Sequence, residues 1–203
     1  AFTGVDHVDL DVCKERNILV SNSAGYSTPA VVELTFGLII SLLRNVLPLD
    51  NVTREGGTMK GYGQRELRGR TLGVLGTGAI GSGVADVGLA FGCNVIAYNR
   101  SEKEELKSKG VKYVDLDTLF KESDIVTIHL PLTEETKGLV NEEKLRMMKK
   151  DSLLINAARG PIVDNGALAK VLQEGKIAGA GIDVFDMEPP IPSDYSLLKT
   201  DNT

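Results

Sequence analysis

The sequence predicts an α/β fold, in which a doubly wound parallel sheet carries helices on both faces. One observation is the apolar, β-branched run at Thr71–Leu75, which leads into a glycine pattern at 76–81 and then into a helical segment. A second is that strand-length and helix-length patterns alternate from there to the end of the chain. Because such alternation forms βαβ units with right-handed crossovers, we expect the strands to be parallel.

The same patterns predict the bounds of each element. Strands are predicted at 72–75, 95–98, 125–129, 153–156 and 177–182, and helices at 79–91, 102–109, 118–122, 142–148 and 165–174. Before the sheet, 9–16 is predicted as a short helix and 18–20 as a short strand. Residues 45–70 are polar and contain several glycines, so they are predicted to be a partly helical excursion.

A longer helix is predicted from Thr28 to Arg44. Thr28 is a good N-cap residue and Pro29 suits the first helical position. The apolar residues that follow are nearly continuous, and a helix that is apolar all round is buried on nearly all sides. We therefore expect it to lie between two domains or in a subunit interface. This divides the chain into a remnant of a substrate domain (1–24), an interdomain helix (25–45) and a dinucleotide-binding domain (46–203).

Composition excludes several classes of protein. The 203 residues have a net charge of −5 and no tryptophan, and no block of basic residues stands out, so we expect no nucleic-acid partner. The longest apolar run, 34–43, is too short to cross a bilayer. Cys13 and Cys93 show no metal or redox spacing, which favours a reducing, cytoplasmic compartment. The chain has no initiator Met and no visible signal peptide, and it reads as if entered in the middle.

The segment 76–81 has the pattern G-x-G-x-x-G between a predicted strand and a predicted helix. Gly76 permits the tight turn, Gly78 lets a pyrophosphate approach the backbone, and Gly81 lets the helix pack close to the strand. Ala79 and Ile80 begin the helix, whose N–H groups and dipole attract the anion. The sequence therefore predicts a Rossmann-type dinucleotide site. The alternative is a glycine-rich turn without a ligand.

Ligands of such sheets bind beyond the carboxyl ends of the strands. This rule selects polar and small residues that are far apart in sequence and predicts that they meet in one crevice. They are Asn99, Arg100 and Ser101 after the second strand, His129 and Pro131 after the third, Ala157, Ala158 and Arg159 after the fourth, and Asp183 after the fifth.

Six segments together resemble the D-2-hydroxyacid dehydrogenase family. They are Gly4-Val5-Asp6-His7-Val8-Asp9, Tyr26-Ser27-Thr28 with Val32-Glu33, the glycine pattern, His129-Leu130-Pro131-Leu132-Thr133, Asn156-Ala157-Ala158-Arg159-Gly160, and Asp183-Val184-Phe185 with Glu188-Pro189. They span nearly the whole chain in the order of the family, and together they are far more specific than the glycine pattern alone.

Arg159 and Glu188 are the predicted catalytic residues. A guanidinium at a strand end can bind a carboxylate through two parallel hydrogen bonds. The resemblance implies that Arg159 holds the substrate carboxylate and polarises the substrate carbonyl. It also implies that Glu188 pairs with a catalytic histidine and fixes its tautomer. The family has that histidine shortly after the position where this sequence stops. His7 is a poor candidate for it, and His129 is either a cofactor-side or a structural residue.

Three residues are predicted to contact the substrate. Backbone N–H groups around Thr3 and Gly4 match the family's carboxylate-binding loop. Tyr26 matches a substrate-facing position of the hydroxypyruvate and glyoxylate reductase branch, or else packs at the start of the helix. Glu33 is predicted to be structural.

The cofactor is predicted to be NAD or NADP, with NADP slightly favoured. An acidic residue is expected at the end of the second strand to bind the ribose 2′-hydroxyl, but that position is Asn99. The missing carboxylate removes a repulsion against a 2′-phosphate, and Arg100 offers it a cation. The resemblance implies that Asp183 binds the nicotinamide carboxamide.

The resemblance implies a homodimeric oxidoreductase that transfers a hydride between NAD(P)H and a small D-2-hydroxy acid or 2-oxo acid, such as glyoxylate or hydroxypyruvate. No metal and no membrane partner are expected. We expect residues 1–203 alone to bind cofactor but to turn over almost nothing. One alternative is an NAD(H)-sensing corepressor of the same fold. The other is a bare dinucleotide-binding module, which would not need Arg159 and Glu188 together.

Overall fold

A computed structural model describes residues 4–5, 8–187 and 190–203. Its centre is a six-stranded parallel sheet with the strand order β3-β2-β1-β4-β5-β6. The strands are β1 (Thr71–Leu75), β2 (Asn94–Tyr98), β3 (Lys112–Tyr113), β4 (Ile125–Ile128), β5 (Leu153–Asn156) and β6 (Gly179–Ile182). The order reverses between β1 and β4, which creates the crevice where ligands of such sheets bind.

Eight helices surround or precede the sheet within the described residues. They are α1 (Leu10–Glu15), α2 (Thr28–Arg44), α3 (Val46–Arg54), α4 (Ala79–Ala90), α5 (Glu104–Ser108), α6 (Leu116–Glu122), α7 (Glu142–Met147) and α8 (Asn165–Gln173). Two short 3₁₀ helices lie at Gly160–Ile162 and Ser196–Lys199. The doubly wound parallel α/β fold is thus confirmed.

Side-chain caps explain where several helices begin. Asp9, Asp115, Asn141 and Asp164 precede α1, α6, α7 and α8, and each accepts a hydrogen bond from a backbone N–H in the first turn. The N-cap residue of α4 is Gly78, which has no side chain to do this. The first N–H groups of α4 are therefore left for another partner.

Two apolar clusters cover the two faces of the sheet. One joins the strands to α6, α7 and α8, with Phe120, Leu145 and Leu168 fully buried. The other joins them to α2, α4 and α5, with Ile39 and Val84 fully buried. The strands lie between these clusters, which explains why their sequences are apolar runs rather than alternating patterns.

The structure corrects three expectations about the elements. Residues 18–20 form no strand, and Leu19 is fully exposed, since no neighbouring strand pairs with them. The sheet gains β3, a strand of two residues that is too short to show a period. The last strand begins at Gly179 rather than at residue 177.

The long helix α2 is buried along one face. Its buried residues form one face, which packs on α4, β5 and β6. Leu34 and Ile40 lie outside this face and are 39% and 37% exposed, because nothing else in the described chain covers them. In the described residues no single helix is long and apolar enough to cross a membrane; α2 and α3 meet that criterion only as a pair bent by 57°.

Candidate functional site

Contacts within the protein determine the shape of the glycine loop after β1. Gly76 has φ +95°, a conformation that disfavours side chains, and a Cβ there would lie 2.7 Å from the carbonyl oxygen of His129. A Cβ at Gly81 would lie 1.9 Å from the carbonyl oxygen of Gly76. At Gly78 nothing lies within 4 Å of a Cβ. Gly76 and Gly81 therefore let the turn close, while Gly78 leaves open space beside the uncapped start of α4.

These features fit a dinucleotide pyrophosphate. The N–H groups of Ala79, Ile80 and Gly81 begin a helix of 12 residues, whose dipole favours an anion at this end. The open side of Gly78 allows a phosphate oxygen to approach the backbone. No carboxylate occupies the cap position, so a bound phosphate would meet no competing charge there.

A hydrogen-bond network ties the glycine loop to the end of β2 and to β3. The side-chain oxygen of Asn99 accepts from the backbone N of Thr77 at 3.4 Å, and its amide nitrogen donates to the carbonyl of Ser101 at 2.7 Å. The hydroxyl of Tyr113 donates to the Thr77 hydroxyl at 3.0 Å and accepts from the backbone N of Lys103 at 3.1 Å. The network thus joins Asn99 directly to the loop, and Ser101 through Asn99.

Sequence reasoning missed Thr77 and Tyr113 as parts of this network. Thr77 is fully buried, and its partner Tyr113 lies 36 residues further along the chain in a strand that was not predicted. The side chain of Lys103 also reaches the start of α4, where Nζ donates to the Ser82 hydroxyl at 2.9 Å. A cation therefore stands within one turn of the glycine loop.

Arg100 lies at the mouth of the crevice. Its guanidinium is 3.5 Å from the carboxylate of Glu135, and both side chains are largely exposed, at 85% and 77%. Arg100 follows β2 and Glu135 follows β4, the two neighbours of β1, so the pair reaches across the end of β1. An ion pair this exposed contributes little to stability, and Arg100 remains able to turn to another anion.

His129 lies behind the glycine loop at the end of β4. Its Nε2 is 2.8 Å from the Thr127 hydroxyl, and burial lowers the pKa of the imidazole to about 4. The ring is therefore neutral near pH 7 and is poorly suited to donate a proton there. Its backbone continues the pairing of β4 with β1, since the N–H of His129 donates to the carbonyl of Leu75 at 2.8 Å. Pro131 follows, and its carbonyl accepts from the Thr136 hydroxyl at 2.7 Å.

Arg159 lies in a turn organised by Asn156, the last residue of β5. The buried amide of Asn156 accepts from the backbone N of Ala158 at 3.1 Å and donates to the carbonyl of Arg159 at 3.0 Å. The half-buried guanidinium of Arg159 donates to the carbonyl of Ala158 at 2.8 Å. Ala157 and Ala158 are thereby folded over the end of the strand, and Arg159 precedes a 3₁₀ helix.

The turn after β5 touches the loop after β6. A Cβ on Gly160 would lie 2.0 Å from the carbonyl carbon of Phe185, so the two backbones meet at a distance that only glycine permits. The exposed Asp183 is anchored by its own N–H, which donates to the carbonyl of Asn156 at 3.0 Å. The structure thus brings Arg159 and Asp183 to one edge.

Of the predicted substrate contacts, Tyr26 is the best described. The residue lies just before α2 and is 61% exposed. A Cβ on Gly83 would lie 2.9 Å from Val32, so the N-terminal end of α2 lies beside the start of α4. Tyr26 is therefore on the same side of the sheet as the glycine loop. Gly4 lies in an irregular segment before α1.

Some predicted residues lie outside the described part of the chain. They are Thr3, His7, Glu188 and Pro189. Within the described ranges, no group of three or more His, Cys, Asp or Glu residues could hold a metal ion.

Known proteins resemble nearly the whole chain. The family model described as D-isomer specific 2-hydroxyacid dehydrogenase, NAD binding domain, matches residues 36–203. A glyoxylate reductase of Aeropyrum pernix is 45% identical over 199 residues, which cover 94% of this chain and 59% of that protein.

Solved structures show the same relationship. A D-lactate dehydrogenase from Aquifex aeolicus, complexed with NAD and lactic acid, superposes with a TM-score of 0.91 at 40% identity over 99% of this chain and 65% of that one. An acyclic imino acid reductase in complex with NADPH and D-arginine gives a TM-score of 0.88 at 34% identity, covering 99% of this chain and 64% of the other.

The chain spans about 60% of the length of the glyoxylate reductases that it matches. The matched segment holds the glycine loop, the crevice and Arg159. This chain belongs to the D-isomer specific 2-hydroxyacid dehydrogenase family and contains its NAD-binding domain.

Proposed function

We propose that the protein carrying this chain reduces a small 2-oxo acid of the glyoxylate or hydroxypyruvate type to the D-2-hydroxy acid. The observation that supports this most directly is the placement of Arg159. Its turn is fixed by Asn156 and pressed against the loop after β6, at the sheet edge where the glycine loop opens. A guanidinium at the same sheet edge as a dinucleotide site suits a substrate whose carboxylate adjoins the reacting carbonyl.

Each part of the site has a distinct role in this proposal. The start of α4 and Gly78 bind the pyrophosphate, and Asp183 orients the nicotinamide through its carboxamide. The bound cofactor supplies the hydride. Arg159 binds the substrate carboxylate and polarises the carbonyl as negative charge develops on its oxygen. The proton for that oxygen does not come from His129, whose imidazole is neutral at pH 7. Glu188 is assigned to tune the group that delivers it.

Replacing Arg159 in the full-length protein tests the proposal. We expect Arg159→Gln to lower kcat/KM for glyoxylate by about 100-fold or more, because it removes a charge-assisted contact to the carboxylate. Arg159→Lys is expected to recover only part of this loss, since an ammonium lacks the planar fork. The KM for the nicotinamide cofactor should change by no more than about twofold. Wild-type kcat/KM in Arg159→Gln would refute the assignment.

For the cofactor we favour NADP over NAD. Position 99 is an asparagine, and Arg100 and Lys103 place two cations near the end of β2. In the Arg100→Ala variant we expect the KM for NADPH to rise about tenfold, while the KM for NADH changes by no more than about twofold. The matched control is Glu135→Ala, which frees Arg100 and should leave NADPH binding intact. An unchanged NADP/NAD preference in Arg100→Ala would end this proposal.

We also propose that the protein is a cytoplasmic homodimer that pairs through the open face of α2. That face carries the exposed apolar residues Leu34 and Ile40. We take these two side chains as part of the surface that a second copy of the chain would cover.

A further inference from the structure

The loop after β6 is contacted from two sides. The residue on the second side, Tyr195, has no role in the function proposed above. On the first side lies Gly160, the residue next to Arg159. A Cβ there would lie 2.1 Å from the carbonyl oxygen of Phe185 and 2.4 Å from the backbone N of Asp186. The backbone of this loop therefore rests directly on the turn that carries the guanidinium.

On the second side lies Tyr195, which is 7% exposed and belongs to the larger apolar cluster. Its ring meets the ring of Phe185 edge-on, with centroids 5.7 Å apart. Its hydroxyl donates to the carboxylate of Asp186 at 2.5 Å. Tyr195 thus holds both residues of the loop that press on Gly160.

The core in turn holds Tyr195. Its backbone N donates to the carbonyl of Pro192, and its carbonyl accepts from the N of Leu198. Leu197, in the short 3₁₀ helix that follows, is 2% exposed. Asp186 is an exposed residue in an irregular loop, so without the tyrosine its segment would have one anchor fewer.

We propose that Tyr195 and Asp186 are positioning residues for the reaction. The pair clamps the loop after β6 against Gly160 and thereby sets the place of Arg159 relative to that loop, which leads to Glu188. This inference rests on the proposed function, because it gives the pair a role only where Arg159 binds the substrate carboxylate. Small displacements of such groups lower the rate of reaction without altering cofactor binding.

A double-mutant cycle on the full-length protein tests the clamp. The variants are Tyr195→Phe, which removes only the hydroxyl, Asp186→Ala, and the two combined. We expect each single variant to lower kcat for glyoxylate by about tenfold, as for loss of one charge-assisted hydrogen bond. The double variant should be no worse than either single one, because both break the same contact. The KM for NAD(P)H should stay within about twofold of wild type in all three.

Two controls separate positioning from stability. Asp186→Asn keeps an acceptor for the tyrosine hydroxyl but loses the charge, so it should recover part of the kcat that Asp186→Ala loses. Tyr62→Phe removes a hydroxyl in the loop before β1 and should leave kcat unchanged. Additive losses in the double variant, wild-type kcat in Tyr195→Phe, or losses that follow the melting temperature alone would each overturn the clamp. A wild-type protein without turnover on any 2-oxo acid would overturn the proposed function and the clamp together.

Discussion

Gly78 and Gly81 lie three residues apart in one loop, but a side chain would meet different surroundings at the two positions. At Gly81 a Cβ would lie 1.9 Å from the carbonyl oxygen of Gly76, so the protein itself excludes it. At Gly78 the space is open and φ is −64°, a value that any residue adopts. The first glycine serves the ligand, and the second serves the fold.

This difference predicts opposite outcomes for two alanine variants. Gly78→Ala should unfold at a melting temperature close to that of wild type but bind NAD(P)H at least about tenfold more weakly, because its methyl group occupies the space for the pyrophosphate. Gly81→Ala should be destabilised by about 2 kcal/mol or more, as expected for a clash with backbone. Thermal unfolding and cofactor fluorescence titration measure the two effects. Normal cofactor affinity in Gly78→Ala would place the pyrophosphate elsewhere.

Single residues of the site could be predicted where one local rule selects them. The rule that ligands bind at strand ends, applied to the alternating pattern, selects Asn99, His129 and Arg159, and the structure places all three at the same sheet edge. The contacts of Tyr113 with Thr77 and of Tyr195 with Asp186 could not be predicted in this way. These contacts join residues that no sequence period or motif spacing relates. They form only once the loops pack on the folded core.

The helix α2 shows how two adjacent residues of one element take different roles. Ile39 is fully buried in the cluster that joins α2 to the sheet, whereas Ile40, about 100° further round the helix, is 37% exposed. We expect Ile39→Ala to lower the free energy of unfolding by about 2 to 5 kcal/mol, the usual cost of emptying such a site. Ile40→Ala should cost less than about 1 kcal/mol, because its site is already partly hydrated. Denaturant unfolding of both variants gives the comparison.

The open face of α2 carries a separate prediction about assembly. Leu34→Glu combined with Ile40→Glu should convert the proposed dimer to a monomer, since charged side chains would have to be buried in the interface. Multi-angle light scattering measures the mass, and the Ile40→Ala variant serves as the mild control. A wild-type protein that is already monomeric would remove the proposal.

Strand prediction succeeded where a short apolar run stood within the alternating pattern of strands and helices. The runs that became β1, β4 and β5 are largely apolar, and the structure buries them between two helical layers. The segment 18–20 has the same local composition, but the described chain gives it no neighbouring strand. Local pattern alone does not decide whether a short apolar run becomes a strand, because pairing is a property of the whole sheet.

At the scale of the whole molecule, His129 links stability to pH. Burial lowers the pKa of its imidazole to about 4 in the folded protein, against about 6.5 in the unfolded chain. Between these two values the unfolded chain binds the additional proton, so folding becomes less favourable as the pH falls. This contribution is fully present above about pH 6.5 and is lost progressively towards pH 4.

We therefore expect the free energy of unfolding to fall by about 2 kcal/mol between pH 7 and pH 5. In the His129→Gln variant, which cannot take up a proton, this slope should be much smaller, whatever the variant's absolute stability. Urea unfolding at several pH values measures both slopes. Carboxylates with a lowered pKa, such as Asp124, lose their contribution at lower pH and do not disturb this window. Equal slopes in the two proteins would show that another group is responsible.

The crowding at Gly160, where only a hydrogen atom fits between the turn after β5 and the loop after β6, has a consequence for the variation that this chain can accept. In a saturation library screened for cellular abundance, positions 81 and 160 should reject every replacement, whereas position 78 should accept small ones. If the same library is screened for growth that depends on turnover, position 78 should become intolerant as well. The positions that tolerate replacement in the first screen but not in the second would mark the protein surface that contacts the nucleotide, without a crystal of the complex.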